Sequence, residues 1–335
     1  MHGRDKSTSS EEDTCNSTTS KEVLEPVQPV DQARGWEIYR ILAADIKLAH
    51  SVFAMPFALL ASFMALDEET TWPVFAGILA LIIVAMVTAR TAAMLSNRIL
   101  DQKIDARNPR TKARAVASGK VAVRDAINLF LGASAAFIFV CVAFGFVFDN
   151  WWPFLLSLPV LVWICIYPLS KRITWGCHLH LGLSLALSPL AAALAINPQS
   201  LLSQPAIWLL AGLVFTWVTG FDIIYALQDL QIDRSENLKS IPARFGYQRA
   251  LWFSRISHLL SIVLLTMIAF IEPRFHNSWF VTSLALILLL LIVEHIVTAK
   301  HGTGKIQLTF LTINGIISCV LGAAGIASIL LATPG

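Results

Sequence analysis

The sequence predicts an all-α, polytopic membrane protein with about nine spans and long polar links gathered at one face of the membrane. Three observations predict it. Of the 335 residues, 56% are hydrophobic and only 14% charged, and the mean hydropathy is +0.66. A soluble chain keeps about a quarter of its residues charged, because its surface must face water. The apolar residues also run in unbroken stretches, each near or above the roughly 20 residues that a helix needs to cross a bilayer. Finally, lysines and arginines crowd into alternate links, the pattern that fixes topology. A net charge of +3 is too small to point to nucleic acid.

Residues 1–35 differ from the rest in being rich in Ser, Thr, Glu and Asp. Such a stretch buries too little apolar surface to offset chain entropy, so a disordered tail is expected. It lacks the basic start and short apolar core of a signal peptide, so the first span should stay attached. Residues 36–335 form the expected membrane domain. Its spans are placed at about 38–66, 73–96, 123–148, 151–169, 174–196, 206–228, 248–271, 279–299 and 308–331. Pro56, Pro159 and Pro189 fall inside apolar stretches, where neighbouring helices can re-satisfy the freed carbonyls. Cys141, Cys165, Cys177 and Cys319 lie within apolar segments without zinc-site or redox spacing, and read as small hydrophobes.

The link after the second span carries Arg98, Lys103, Arg107, Arg110, Lys112, Arg114, Lys120 and Arg124. Lys171 and Arg172 follow the fourth span, Arg234, Lys239, Arg244 and Arg249 the sixth, and Lys300 and Lys305 the eighth. The alternate links hold Asp67, Glu68 and Glu69, then Asp149, then a neutral stretch, then Glu272 with Arg274. Positive links stay in the cytoplasm, so the tail and all even-numbered links are expected inside and the C-terminus outside.

Two of these links open with carboxylates at helical spacing. Asn97, Asp101 and Asp105 step by four and so share one face of a helix leaving span two. Asp222, Tyr225, Asp229 and Asp233 do the same at the end of span six. The shared Asp-x-x-x-Asp pattern, four spans apart, hints at an internal duplication. Carboxylate oxygens are hard ligands suited to magnesium, which bridges one or two carboxylates to a substrate phosphate. Two clusters facing each other across a cavity would hold metal and a diphosphate between them, and the metal would neutralise charge on the leaving group. Helix capping and pairing with nearby arginines is the bland reading, but buried ionisable groups in membrane helices usually mark a site.

The basic residues offer companions. Arg110 and Arg114 have the forked geometry that matches phosphate oxygens, with positive-inside topology as the alternative. Lys171, in Tyr167-Pro-Leu-Ser-Lys171-Arg172, is placed to bind phosphate as a point charge or to snorkel to headgroups. Lys47, beside Asp45 in the first apolar segment, either neutralises an aromatic acid's carboxylate or snorkels. His178 and His180 fall on different helix faces and read as packing or hydrogen-bonding groups.

Asn97-x-x-x-Asp101-x-x-x-Asp105, Tyr167-Pro-x-x-Lys171-Arg172 and Asp222-x-x-Tyr225-x-x-x-Asp229-x-x-x-Asp233 together resemble the UbiA superfamily of intramembrane prenyltransferases. Among its members the chain looks most like the bacterial 4-hydroxybenzoate polyprenyltransferase group, from about residue 36 to the C-terminus. The resemblance implies nine helices around a central cavity, capped on the cytoplasmic side, in the inner membrane. It implies that Asn97, Asp101, Asp105, Asp229 and Asp233 hold Mg2+ and a polyprenyl diphosphate. Lys171 would contact the diphosphate, Tyr167 would line the cavity with Tyr225 and Arg172 nearby, and Asp222 would orient or deprotonate an aromatic acid's phenol. Asp222, Asp101 and Asp229 are thus the candidate catalytic residues. Many members have Asp where this chain has Arg98, which would alter metal affinity or bind phosphate instead. The Asn-Arg start is similar to a branch of which some members serve menaquinone rather than ubiquinone synthesis. Other acceptors (haem, a chlorophyllide, a naphthoate, a glycerol phosphate) stay open, as does a cation-coupled transporter with the aspartates on an ion path.

Overall fold

A computed structural model describes residues 32–46, 53–306 and 309–332. Most of the expected tail, and Lys47, lie outside the described residues. The described chain from Gln32 onward forms one unit. Its helices are α1 (Trp36–Asp45), α2 (Met55–Met64), α3 (Trp72–Leu100), α4 (Gln102–Arg107), α5 (Val123–Phe148), α6 (Trp152–Ile173) and α7 (Cys177–Ile196). There follow α8 (Ser200–Ser203), α9 (Pro205–Ala226), α10 (Leu230–Ser235), α11 (Ile241–Phe245), α12 (Tyr247–Ile271), α13 (Ser278–His301) and α14 (Asn314–Ala332). Among the described residues there is no strand.

Eight of these helices are long and apolar enough to span a membrane, so the expected count of nine is not reached among the described residues. The difference lies in the first expected span. Its described residues form α1 and the short α2 instead of one helix. Pro56 sits in the first turn of α2, where a missing N–H costs nothing, so it starts a helix and does not interrupt one. By contrast α6 runs through Tyr167-Pro168 to Ile173, which puts Lys171 and Arg172 on its last turn. Pro189 lies inside α7 and leaves the Leu185 carbonyl without its helical donor. The Ser188 hydroxyl donates to that carbonyl at 2.7 Å, the local repair that lets a proline persist in a membrane helix.

α9 is the axis of the bundle. In its spanning stretch 67% of the residues are buried, against 17–44% in the other spans. It packs on α7 and α12, with Trp217, Ile207 and Leu210 almost wholly enclosed. The outer surface is apolar, with Phe139, Phe146 and Leu131 exposed as lipid-facing residues would be. Exposed Trp72, Trp152, Trp208 and Trp279 stand at the starts of α3, α6, α9 and α13, forming an aromatic girdle at the end away from the basic links.

Candidate active site

Both acidic motifs fold into the same corner. α3 ends at Leu100, Asp101 takes φ −94° and ψ 6°, and the six-residue α4 follows with Asp105 on its first turn. α9 ends at Ala226, and a 3-10 turn leads to Asp229 at φ −99° and ψ 6°. The six-residue α10 then carries Asp233 on its first turn. Regular helix is therefore interrupted at Asp101 and at Asp229, where unbroken continuation was expected. The backbone bond from Asp105 N–H to the Asp101 carbonyl, 2.8 Å, keeps the two side chains in helical step.

The carboxylates of these corners are surrounded by the basic residues of three segments. Asp101, 1% exposed, accepts from Lys171 Nζ at 2.6 Å and from Arg172 at 3.1 Å. Asn97 Nδ2 donates to Asp101 Oδ2, the oxygen that Lys171 also contacts, at 3.4 Å. Asp105, also buried, receives both contacts of Arg114 Nη1, at 2.8 and 2.7 Å. Asp229 accepts from Arg110 through Nε at 3.0 Å and through Nη2, and from Asn108 Nδ2 at 2.9 Å. Asp233 accepts the Ser240 hydroxyl at 2.7 Å. Arg110 also donates to the Tyr225 hydroxyl at 3.0 Å and lies over its ring. Burial alone would lower the Arg110 pKa, but its bonds to Asp229 and Tyr225 outweigh that and raise it, so its charge is permanent.

These contacts join segments far apart in sequence. Arg107 pairs with Glu236 at 2.6 Å, a second tie between the two links beside Arg110–Asp229. The second link is also fixed to the end of α6, where Lys239 N–H donates to the Lys171 carbonyl at 2.6 Å and its Nζ to the Ile173 carbonyl at 2.9 Å. Arg98 is buried and committed to α1: it donates to Asp45 Oδ2 at 2.7 Å and to the Asn97 side chain at 2.8 Å.

Behind this charged layer, deeper in the bundle, lie Tyr167, Asp222, His178 and Arg90. Tyr167 is within electrostatic reach of Asp101, Asp222, Arg98 and Arg114. Asp222 Oδ2 lies 2.6 Å from His178 Nδ1. Arg90, ten residues before the end of α3 and so about 15 Å from it, is half-buried and within reach of Tyr167. It makes no hydrogen bond or ion pair among the described residues. Sequence reasoning did not single out Arg90, Asn108, Ser240 or Glu236, and read His178 as a packing or hydrogen-bonding group without naming its partner. An arginine inside an apolar run was the one signal that could have been read. Two open grooves lie elsewhere on the bundle: about 460 Å3 around Asp149–Trp152, and about 320 Å3 between α12 and α13.

Among the described residues no three acidic, histidine or cysteine side chains form a protein-only metal cage. Magnesium needs none, since it prefers one or two carboxylates completed by water and phosphate. The donor set here is all oxygen: four aspartates and the Asn97 amide. That chemistry fits it.

Residues 54–329 match the UbiA prenyltransferase family along most of the chain. The chain belongs to the UbiA prenyltransferase family. Among its curated relatives is the mitochondrial 4-hydroxybenzoate polyprenyltransferase of Schizosaccharomyces pombe, 32% identical over 50% of this chain and 46% of that one. The 4-hydroxybenzoate octaprenyltransferase of Francisella tularensis subsp. novicida is 30% identical over 54% of this chain and 62% of its own. The chain thus spans about half to three fifths of these relatives' length. The Nitrosomonas eutropha octaprenyltransferase matches at 28% over 76% of this UbiA-family chain and 84% of that protein. In structure, a UbiA homolog from Aeropyrum pernix K1 superimposes with a TM-score of 0.72 at 29% identity, covering 83% of this chain and 97% of that one. A UbiA homolog from Archaeoglobus fulgidus bound to GPP and Mg2+ shares the fold, with a TM-score of 0.63 at 18% identity over 88% of this chain and 99% of that one.

Proposed function

We propose that this chain is a magnesium-dependent prenyltransferase. It would move a polyprenyl group from its diphosphate to the ring of 4-hydroxybenzoate or a related aromatic acid, within ubiquinone or menaquinone synthesis. The observation that carries this reading is the joining of the two acidic corners by Arg110–Asp229 and Arg107–Glu236, with Asp222 on α9 about two turns back from Asp229. A donor diphosphate at the aspartate corners and an acceptor phenol at Asp222 would then meet at one place. The names of the relatives support the acceptor class, and the diphosphate and Mg2+ held by the A. fulgidus homolog support the donor.

Asn97, Asp101, Asp105, Asp229 and Asp233 are the residues that would hold Mg2+. When bound, the metal supplies Lewis-acid stabilisation of the departing diphosphate. Lys171, Arg172, Arg110 and Arg114 bind and orient the diphosphate oxygens, the arginines as forks and the lysine as a point charge. The carbon–oxygen bond of the allylic diphosphate breaks with its electron pair leaving on the diphosphate. Apolar walls shelter the allylic cation from water. Asp222 holds the phenol proton, which makes the ring electron-rich. The ring carbon ortho to the hydroxyl attacks the cation, and the proton on that carbon would then pass to the released diphosphate as aromaticity returns. We assign Arg90 to the acceptor's carboxylate, because a cation inside the membrane without a partner is costly unless an anion completes it. Tyr225 orients Arg110, and Arg98 holds α1 against α3.

The surplus of basic residues on the capped end supports a cytoplasmic location for that end; the chain would sit in the inner membrane, with residues 1–35 as a cytoplasmic tail and 36–335 as one catalytic domain. The aspartates lie at helix ends beside basic links, whereas transporters place their ion sites near the bilayer midplane. Purified protein in lipid nanodiscs, given Mg2+, a polyprenyl diphosphate and a panel of aromatic acids, should form a prenylated acid identifiable by mass. No product from any acid would overturn the reading.

A further inference from the structure

His178 is 2% exposed and belongs to neither acidic corner. It stands near the start of α7, facing Asp222 of α9 across a close helix contact. That contact depends on Gly182, one turn further along α7. A Cβ there would lie 2.4 Å from Thr219 Oγ1 and 2.6 Å from the Phe215 carbonyl, nearer than real Cβ atoms come. The Thr219 hydroxyl, which donates to the Phe215 carbonyl of its own helix at 2.7 Å, lies 3.4 Å from the His178 carbonyl. The register of α7 on α9 is therefore fixed where the histidine meets the carboxylate.

Both ring nitrogens of His178 are occupied, and their partners define its tautomer. The Ile241 backbone N–H donates to Nε2 at 3.3 Å, so Nε2 is the lone-pair nitrogen. The ring proton is then on Nδ1, which donates to Asp222 Oδ2 at 2.6 Å. This accounts for one carboxylate oxygen of Asp222 and leaves Oδ1 without a protein partner among the described residues. Ile241 begins α11 directly after Ser240, which donates to Asp233 and accepts from Ala243 N–H at 3.2 Å. One imidazole thus bridges the carboxylate behind the charged layer to the segment that holds Asp233.

We propose that His178 is a positioning residue of prenyl transfer. It would turn Asp222 so that Oδ1 faces the acceptor's phenol. The inference rests on the reading of Asp222 as the phenol's partner and deepens it. No proton passes through His178 in this role, because Nε2 is engaged by a main-chain donor and Nδ1–H stays on the ring.

The test uses the full chain in nanodiscs with Mg2+, geranyl diphosphate and 4-hydroxybenzoate. A hydrogen bond to a charged group contributes about 1.5–3 kcal/mol, so His178→Ala should lower kcat/KM for the acid about 10- to 100-fold. The KM for geranyl diphosphate should not move. His178→Asn, whose amide N–H can reach where Nδ1–H stood, should recover most of the loss. The inference is overturned if His178→Ala keeps normal turnover while Asp222→Asn abolishes it, which would leave the reading of Asp222 intact. It is equally overturned if His178→Ala weakens diphosphate and acid alike and asparagine recovers nothing, since that is a packing effect. Near-normal turnover in Asp222→Asn would sink the reading of Asp222 itself.

Discussion

Arg110 grips Asp229 as a fork, with Nε on Oδ1 at 3.0 Å and Nη2 on Oδ2, across 119 residues of sequence. The pair fastens the link after α3 to the corner after α9, and the same guanidinium reaches the Tyr225 hydroxyl. Lysine carries the charge but not the fork. Arg110→Lys should therefore lose at least tenfold in kcat/KM for the diphosphate, about 1.4 kcal/mol, with KM rising. Steady-state kinetics against varied diphosphate would check it, and an unchanged KM would remove Arg110 from the site.

Asp101→Ala and Asp229→Ala should each abolish turnover without unfolding the protein. Their basic partners Lys171, Arg172 and Arg110 are 23–39% exposed in their side chains, so the cations left behind can hydrate. Circular dichroism in detergent should give unchanged helix content. Loss of helix in step with loss of activity would mean that these carboxylates serve only the fold.

Arg90→Ala should raise the KM for a carboxylate-bearing acceptor about 10- to 100-fold, the scale of a lost charge-assisted bond. It should leave the diphosphate KM alone. The methyl ester of the same acid should be a poor substrate for both proteins, so the variant and the parent differ little on it. A variant that discriminates acid from ester as well as the parent does would refute the assignment.

Gly322 lets α14 meet α2. A Cβ there would stand 2.7 Å from Pro56 Cβ and 3.1 Å from the Pro56 carbonyl. Gly322→Ala should destabilise the bundle by about 1–3 kcal/mol through overpacking. Gly132, on the exposed face of α5, has open space around it. Gly132→Ala should be neutral or stabilising by up to about 1 kcal/mol, since alanine is the better helix former. Thermal unfolding in a fixed detergent separates the two.

Much of the acidic layer was legible because its signal is local. Steps of four placed Asn97, Asp101 and Asp105, and separately Asp229 and Asp233, on shared faces without any tertiary knowledge. The interruptions at Asp101 and Asp229 were not legible, because carboxylates at that spacing suit an unbroken helix equally well. His178 could be read as a hydrogen-bonding group, but its partner could not. Its meaning comes from Asp222, 44 residues away, and no pattern within its own helix points there. Arg98 looked free for phosphate because Asp45, which claims it, lies 53 residues upstream. The first span was drawn as continuous on hydropathy alone; its described residues fall in α1 and α2, and residues 47–52 between them lie outside the described residues.

Every aspartate of the two corners has a polar companion supplied by the chain itself: Lys171 and Arg172, Arg114, Arg110 and Asn108, or Ser240. A newcomer carrying phosphate competes for arms already extended toward these anions, so it is welcomed by exchange of partners. Assembly of the bundle and affinity for divalent ions then become separable traits. Chelation should silence the protein while leaving its melting point where it was.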